Sequence, residues 1–224
     1  VDTSQRDPKK ARVSYHVELG RQYRYGKIEF DSSFYRLDSL LDMEPFRQGI
    51  RPGNPYNLEI LSSARTGLAR ALQDQGYFYF APEFILLNAD TTVGDHLMDL
   101  TVGRQRDLPK EVLTRYRIDD IDVQISHLRD SANSPQDSVV FGNLKILSTG
   151  DYLRPEVLDK AILLEKGALY SYQSYQQTLS RLNNMGIFTS VRISYGISPE
   201  DSLLSLVDVR IDLVVADNVS LELE

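Results

Sequence analysis

A chain of 224 residues suits one large domain or two of roughly 100 residues each, with enough apolar content for packed cores. Lys and Arg number 25 against 32 Asp and Glu, and the net charge of −7 argues against a nucleic-acid binder built on a basic patch. The absence of cysteine excludes a thiol catalyst, a disulfide scaffold and a structural zinc site.

Residues 1–11 are polar and read as poorly ordered. Arg12 to Leu19 alternates with period two, the mark of a strand with one buried face. After the turn Gly20-Arg21-Gln22, Tyr23 to Phe30 reads as another strand. Asp31-Ser32-Ser33 supplies N-cap chemistry for a helix striped by Phe34, Leu37, Leu40 and Leu41, which Pro45 breaks. Asn57 caps a longer helix with Leu58, Leu61, Ala64, Leu68 and Leu72 on one face, and Gly76 closes it. Tyr77 to Leu87 reads as a strand, Asn88 to Asp95 as a turn, and His96 to Val102 as the returning strand of a hairpin. A charged linker, Gly103 to Lys110, follows, and two compact units hinged there are expected.

The second half opens with a strand over Tyr116 to Ile125, then departs from the first. A polar insertion from His127 to Asp137 and a strand-like run from Ser138 to Leu147 point to a hairpin elaborating the first strand, its tip exposed. Pro155 sits in the first turn of a short helix bearing Val157, Leu158 and Ile162. Ser171 caps the next helix, with Tyr175, Leu179 and Leu182 inward, and Gly186 ends it. Strands over Ser190 to Gly196 and Leu203 to Val215 finish the chain, whose opening at Val1-Asp2-Thr3 falls mid-pattern, as in a piece of something longer. No signal peptide and no apolar run long enough to span a membrane as a helix is present in this sequence.

Two stretches therefore say the same thing. Asn54-Pro55-Tyr56-Asn57, a striped run and Gly76-Tyr77-Phe78 match Ala168-Leu169-Tyr170-Ser171, a striped run and Gly186-Ile187-Phe188. In such a unit, two helices between the first and second strands return the chain to the end it left. A right-handed crossover then gives a three-stranded mixed sheet with the third strand central and both helices on one face. The second strand is left on an edge, and Pro82 agrees with that placement. The fold class is α+β, two tandem βααββ units.

This unit resembles the POTRA (polypeptide-transport-associated) domain, through Gly53 with Tyr56-Asn57 and Gly76-Tyr77-Phe78, and through Gly167 with Tyr170-Ser171 and Gly186-Ile187-Phe188. Val17 to Ile28 resembles the junction between consecutive POTRA domains. The resemblance divides the chain into 1–20, a tail and the last strand of a truncated preceding domain; 21–105, one domain; 106–216, a second with a hairpin insertion near 126–147; and 217–224, a link towards a barrel. The decorated second unit resembles barrel-assembly homologues of the Bacteroidetes kind. Such arrays form the periplasmic arm of outer-membrane barrel proteins of the BamA and TamA type. The resemblance implies a binding and handover module at the periplasmic face of the outer membrane, with no cofactor. Its implied partners are unfolded outer-membrane proteins or their chaperones, accessory assembly subunits and a C-terminal membrane β-barrel of the same chain. The arm of a dedicated secretion transporter, or a POTRA-like scaffold of an envelope or division complex, are the alternatives.

No catalytic constellation stands out, and no enzyme is expected. His16, His96 and His127 lie far apart in the sequence without ligand spacing. Asp119, Asp120 and Asp122 lack the spacing of an EF-hand, and alternation puts Asp120 and Asp122 on one face, read as solvated. Tyr77, Phe78, Tyr79 and Phe80 form an aromatic run that either covers sheet surface or offers a platform to a passing polypeptide. The expected binding edge is Ser190-Val191-Arg192-Ile193-Ser194-Tyr195, which no proline interrupts. Val191, Ile193 and Tyr195 should share one face, and the outward N–H groups are sought at Arg192 or Ser194.

Overall fold

Local capping and alternation set the elements. The computed structural model describes the chain outside residues 1, 8–9, 17, 19, 33–45, 47–48, 131–136, 199–204 and 217–224. Strands β1 (Asp2–Asp7) and β2 (Lys10–Ser14) pair antiparallel in a sheet of their own, with Asp2 opposite Ser14 and Asp7 opposite Lys10. The strand expected over 12–19 thus begins earlier, ends at Ser14 and has a partner in residues read as poorly ordered. That partner, Asp2-Thr3-Ser4-Gln5-Arg6-Asp7, carries no apolar alternation, so period two could not reveal it.

The first mixed sheet holds β3 (Arg24–Phe30), β4 (Ile85–Asp90) and β5 (Leu97–Arg104) in the order β3-β5-β4. Central β5 runs parallel to β3 and antiparallel to β4. Helix α1 (Leu58–Asp74) starts where the Asn57 side chain accepts from the Glu59 and Ile60 N–H groups at 2.8 and 3.2 Å. Its Leu61, Ala64, Leu68 and Leu72 are buried in one cluster with Tyr25, Met98, Leu100 and Val102. Leu58, expected on that face, is 66% exposed. Helical side chains tilt towards the N-terminus, so one in the first turn projects beyond the helix's own start. The helix expected around Phe34 to Leu41 lies outside the described residues, while Phe46 and Ile50 are buried in the same core.

The strand expected from Tyr77 onward starts only at Ile85. Pro82 opens a 3₁₀ turn, Pro82–Phe84, and the Gln73 side-chain amide donates to the Phe80 carbonyl at 2.9 Å, holding the chain off the ladder. Pro82 therefore sits before the edge strand, not within it, and β4 extends into the expected turn as far as Asp90. The linker is also better anchored than its charge implies, since Leu108 and Val112 pack against the first core.

The second sheet holds β6 (Arg117–His127), β7 (Asp137–Phe141), β8 (Leu144–Ser148), β9 (Phe188–Ile197) and β10 (Leu206–Val215), in the order β7-β8-β6-β10-β9. Its β6, β10 and β9 repeat the first sheet, with β10 parallel to β6 and antiparallel to β9. The run expected as one strand is a hairpin turning at Gly142-Asn143, with Gly142 at φ +57°; β8 adds parallel to β6 and makes five strands of three. Helix α2 (Pro155–Ala161) buries Leu158 and Ala161, but Val157 is 40% exposed. Val157 directly precedes Leu158, and neighbouring residues on a helix face different ways. Helix α3 (Tyr172–Asn184) buries Leu182 and, unexpectedly, Thr178, whose hydroxyl accepts from the Leu163 N–H at 2.9 Å. Tyr175 and Leu179 are half-buried.

The repeat runs deeper than the helix-and-glycine phrase. Tyr25 N–H donates to the Asn54 carbonyl as Ile118 N–H does to Ala168, and Tyr56 N–H donates to Tyr23 as Tyr170 N–H does to Tyr116. In each unit an arginine on the first strand, Arg24 or Arg117, donates to the glycine carbonyl facing it, Gly53 or Gly167, at 2.8 Å.

Candidate functional site

Among the described residues, strand β9 is the outer strand of the second sheet and pairs only with β10. Val191, Ile193 and Tyr195 pack on the second core, while Ser190, Arg192 and Ser194 are exposed on the opposite face, as alternation predicts. The backbone alternates as well. Ser198 N–H donates to the Leu206 carbonyl, so Ser198 faces β10, and in an antiparallel ladder every second residue does the same. Gly196, Ser194, Arg192 and Ser190 therefore turn their N–H and C=O groups to β10. The far side of β10 agrees, because Arg117 N–H donates to the Ser205 carbonyl, turning Ser205 and Val207 towards β6. The groups pointing outward from the edge belong to Val191, Ile193 and Tyr195. This corrects the expectation that Arg192 or Ser194 supplies them: side-chain face and backbone direction alternate together along a strand, and here the residues with exposed side chains are the ones whose backbone groups face β10.

The other second strand, β4, is an edge too, but has six residues against ten in β9. On the opposite edge of the second sheet, β7 has five residues, with Val140 74% exposed. Among the described residues the longest edge strand of the two mixed sheets is β9.

The aromatic run is dispersed by the turn that replaces the expected strand. Tyr77 and Phe80 are buried in the first core and form no platform, Phe78 is half-buried, and Tyr79 is 41% exposed. Phe78 meets Tyr79 of its own unit edge-on at 4.8 Å and otherwise reaches across the junction. Its ring lies 6.0 Å from Tyr116, 4.8 Å from Tyr170 and 5.4 Å from Tyr195, three residues of the second unit.

Around Phe78 the two units are joined by polar contacts that no local pattern announces. The Asp74 carboxylate accepts from the Ser171 hydroxyl at 2.9 Å and from the Gln173 N–H at 2.7 Å, so the end of α1 helps cap α3. Tyr116 N–H donates to the Gly76 carbonyl, and the Arg115 Nε donates to the Gln75 carbonyl, both at 2.8 Å. The Arg70 guanidinium lies over the Tyr172 ring at 5.1 Å. Burial, then neighbouring tyrosines, pushes the Tyr195 phenol well above its ordinary range; Tyr170 rises for the same first reason, with Tyr175 and Asp74 adding to it. Both phenols stay neutral at ordinary pH. The Tyr195 hydroxyl is buried without a partner among the described residues.

The remaining polar candidates are locally occupied. His96 meets Tyr23 edge-on at 5.6 Å, and His127 stacks on Tyr152 at 6.4 Å. Lys166 pairs with both Asp119 and Asp120, and Ser198 donates to Asp119. Among the described residues no group of three or more acidic or histidine side chains is arranged to hold a metal ion. No helix of the described residues is long and apolar enough to cross a membrane, which says nothing of membrane strands.

Comparison with known proteins bears on the second unit first. Residues 139–215, from β7 to the end of β10, match the family model described as POTRA, surface antigen variable number repeat. Among solved structures, POTRA domains 3–5 of Haemophilus influenzae BamA align over 87% of this chain and 62% of that one, at 13% identity and a TM-score of 0.51. BamA from Haemophilus ducreyi lacking POTRA domains 1–3 aligns over 88% of this chain and 30% of that one, at 16% identity and a TM-score of 0.55. This chain thus spans less than two thirds of either structure. No curated protein matches the sequence. The second unit carries the POTRA repeat, and the chain has the fold of POTRA domains in tandem.

Proposed function

We propose that this tandem POTRA array is a periplasmic binding and handover module of an outer-membrane barrel protein. It captures extended segments of unfolded outer-membrane proteins, or of partner subunits, as an added strand on β9. The single observation behind this reading is the ten-residue β9 edge, with the main-chain groups of Val191, Ile193 and Tyr195 turned outward. Main-chain pairing at such an edge gives affinity with little demand on sequence, which suits a receiver of many clients. The exposed Arg192 and Ser194 would meet alternate client side chains on one face, with modest selectivity. The whole barrel protein, its accessory subunits and its clients belong to this proposal, as does the division at residues 21–105 and 106–216.

The test is a proline that removes one outward N–H without breaking the ladder to β10. Val191→Pro does so, and Val191→Ala controls for the lost side chain. With a photocrosslinking residue at Arg192, a urea-denatured outer-membrane barrel protein should crosslink to the parent and to Val191→Ala, and far less to Val191→Pro. Equal crosslinking of all three, with unchanged circular dichroism, would remove β9 as the site.

A further inference from the structure

We infer that Phe78, although it belongs to the first unit, is a positioning residue for the β9 edge, acting through Tyr195; this rests on the reading of β9 as the strand-adding edge. Tyr195 carries one of the outward main-chain pairs, so the placement of its ring sets the course of the edge at that end. Three rings hold it: Tyr170 at 5.3 Å and Tyr175 at 6.1 Å from its own unit, and Phe78 at 5.4 Å from the other. Its hydroxyl has no hydrogen bond among the described residues to fix it, so packing alone holds the ring in place.

An unpaired buried hydroxyl gains by reaching water. With Phe78 present, the hydroxyl is buried. With Phe78 removed, the gap opens directly beside Tyr195, and the hydroxyl's gain on hydration draws the ring out of the cluster. Backbone order at that end of β9 goes with it. Phe78 can act this way because it is itself anchored. Two residues before it, the Gly76 carbonyl accepts from Tyr116, and Asp74 caps α3, so the Phe78 ring enters the second unit at a fixed place. The edge strand of one unit is thereby completed by a side chain of its neighbour.

The experiment uses the whole chain and a fluorescein-labelled peptide of about ten alternating Val and Lys residues, the length of β9. Phe78→Ala should weaken binding about tenfold, which is about 1.4 kcal/mol. Amide exchange at Ser194 and Gly196 should rise while that of Val209, on interior β10, stays slow. Phe78→Tyr, which keeps the ring, should restore both readouts. Should Phe78→Ala fail to fold, Phe78→Leu keeps apolar volume without the ring and should still weaken binding. Val191→Pro is measured alongside. If it weakens binding while the Phe78→Ala and Phe78→Leu affinities stay within about twofold of the parent, the inference about Phe78 is overturned alone. If Val191→Pro has no effect, the β9 reading falls and takes this inference with it.

Discussion

Gly76 and Gly186 end the two long helices in the same left-handed conformation, at φ +97° and +70°, yet they stand in different surroundings. A Cβ on Gly76 would lie 3.0 Å from the Leu169 Cδ2 and 3.4 Å from the Tyr116 carbonyl, both in the second unit. A Cβ on Gly186 would meet nothing within 4 Å. Gly186→Ala should therefore cost only the left-handed penalty, about 1–2 kcal/mol. Gly76→Ala should cost about 1–3 kcal/mol more, because it also wedges the junction apart. Urea denaturation followed by circular dichroism measures both, and equal losses would mean that the Leu169 contact yields freely. The need for glycine at both positions was legible in the sequence, since helix exit is a local rule. What Gly76 faces was not, because Leu169 comes from a distant part of the chain.

The same division between local and distant signals holds for whole elements. Asn57 completes the cap of α1 by itself, accepting from two amides. Ser171 accepts from the Ser174 N–H alone at 3.1 Å and leaves the Gln173 N–H to Asp74. Losing either partner should destabilise the second unit by about 1 kcal/mol, the usual weight of an N-cap. Because the Ser171 hydroxyl also donates to Asp74, Asp74→Ala and Ser171→Ala should fall short of additivity by at least about 0.5 kcal/mol. A double-mutant cycle by chemical denaturation reads this directly, and strict additivity would show that α3 is capped without help from the first unit. Cap residues, the buried stripe of α1 and the alternation of β9 were readable because each depends on near neighbours. The 3₁₀ turn at Pro82, the polar strand β1 and the β7–β8 hairpin were missed where a polar or proline-bearing segment is held by tertiary pairing rather than by its own pattern.

For the whole molecule, the chain-direction argument placed β5 between β3 and β4, β10 between the first and second strands of its unit, and β4 and β9 at the edges. All four placements hold, but β7 and β8 extend the second sheet so that β6, not β10, is its centre. The expected loose hinge is the larger revision. Leu108 and Val112 tie the linker to the first core, and Asp74, Gln75, Gly76 and Phe78 bond or pack across the junction. None of these contacts has a short-range signature, so a linker rich in charge looked freer than it is. The chain is best understood as two repeats sharing one aromatic joint, with the longest edge lying beside it. The most direct test of that account is residue-resolved amide exchange on the whole chain, with and without the Val-Lys peptide. Strand addition on β9 predicts that the Val191, Ile193 and Tyr195 amides slow on binding, while Arg192 and Ser194, already paired with β10, change little. Slowing at β4 or β7 instead, or at none of the three outward amides, would contradict it.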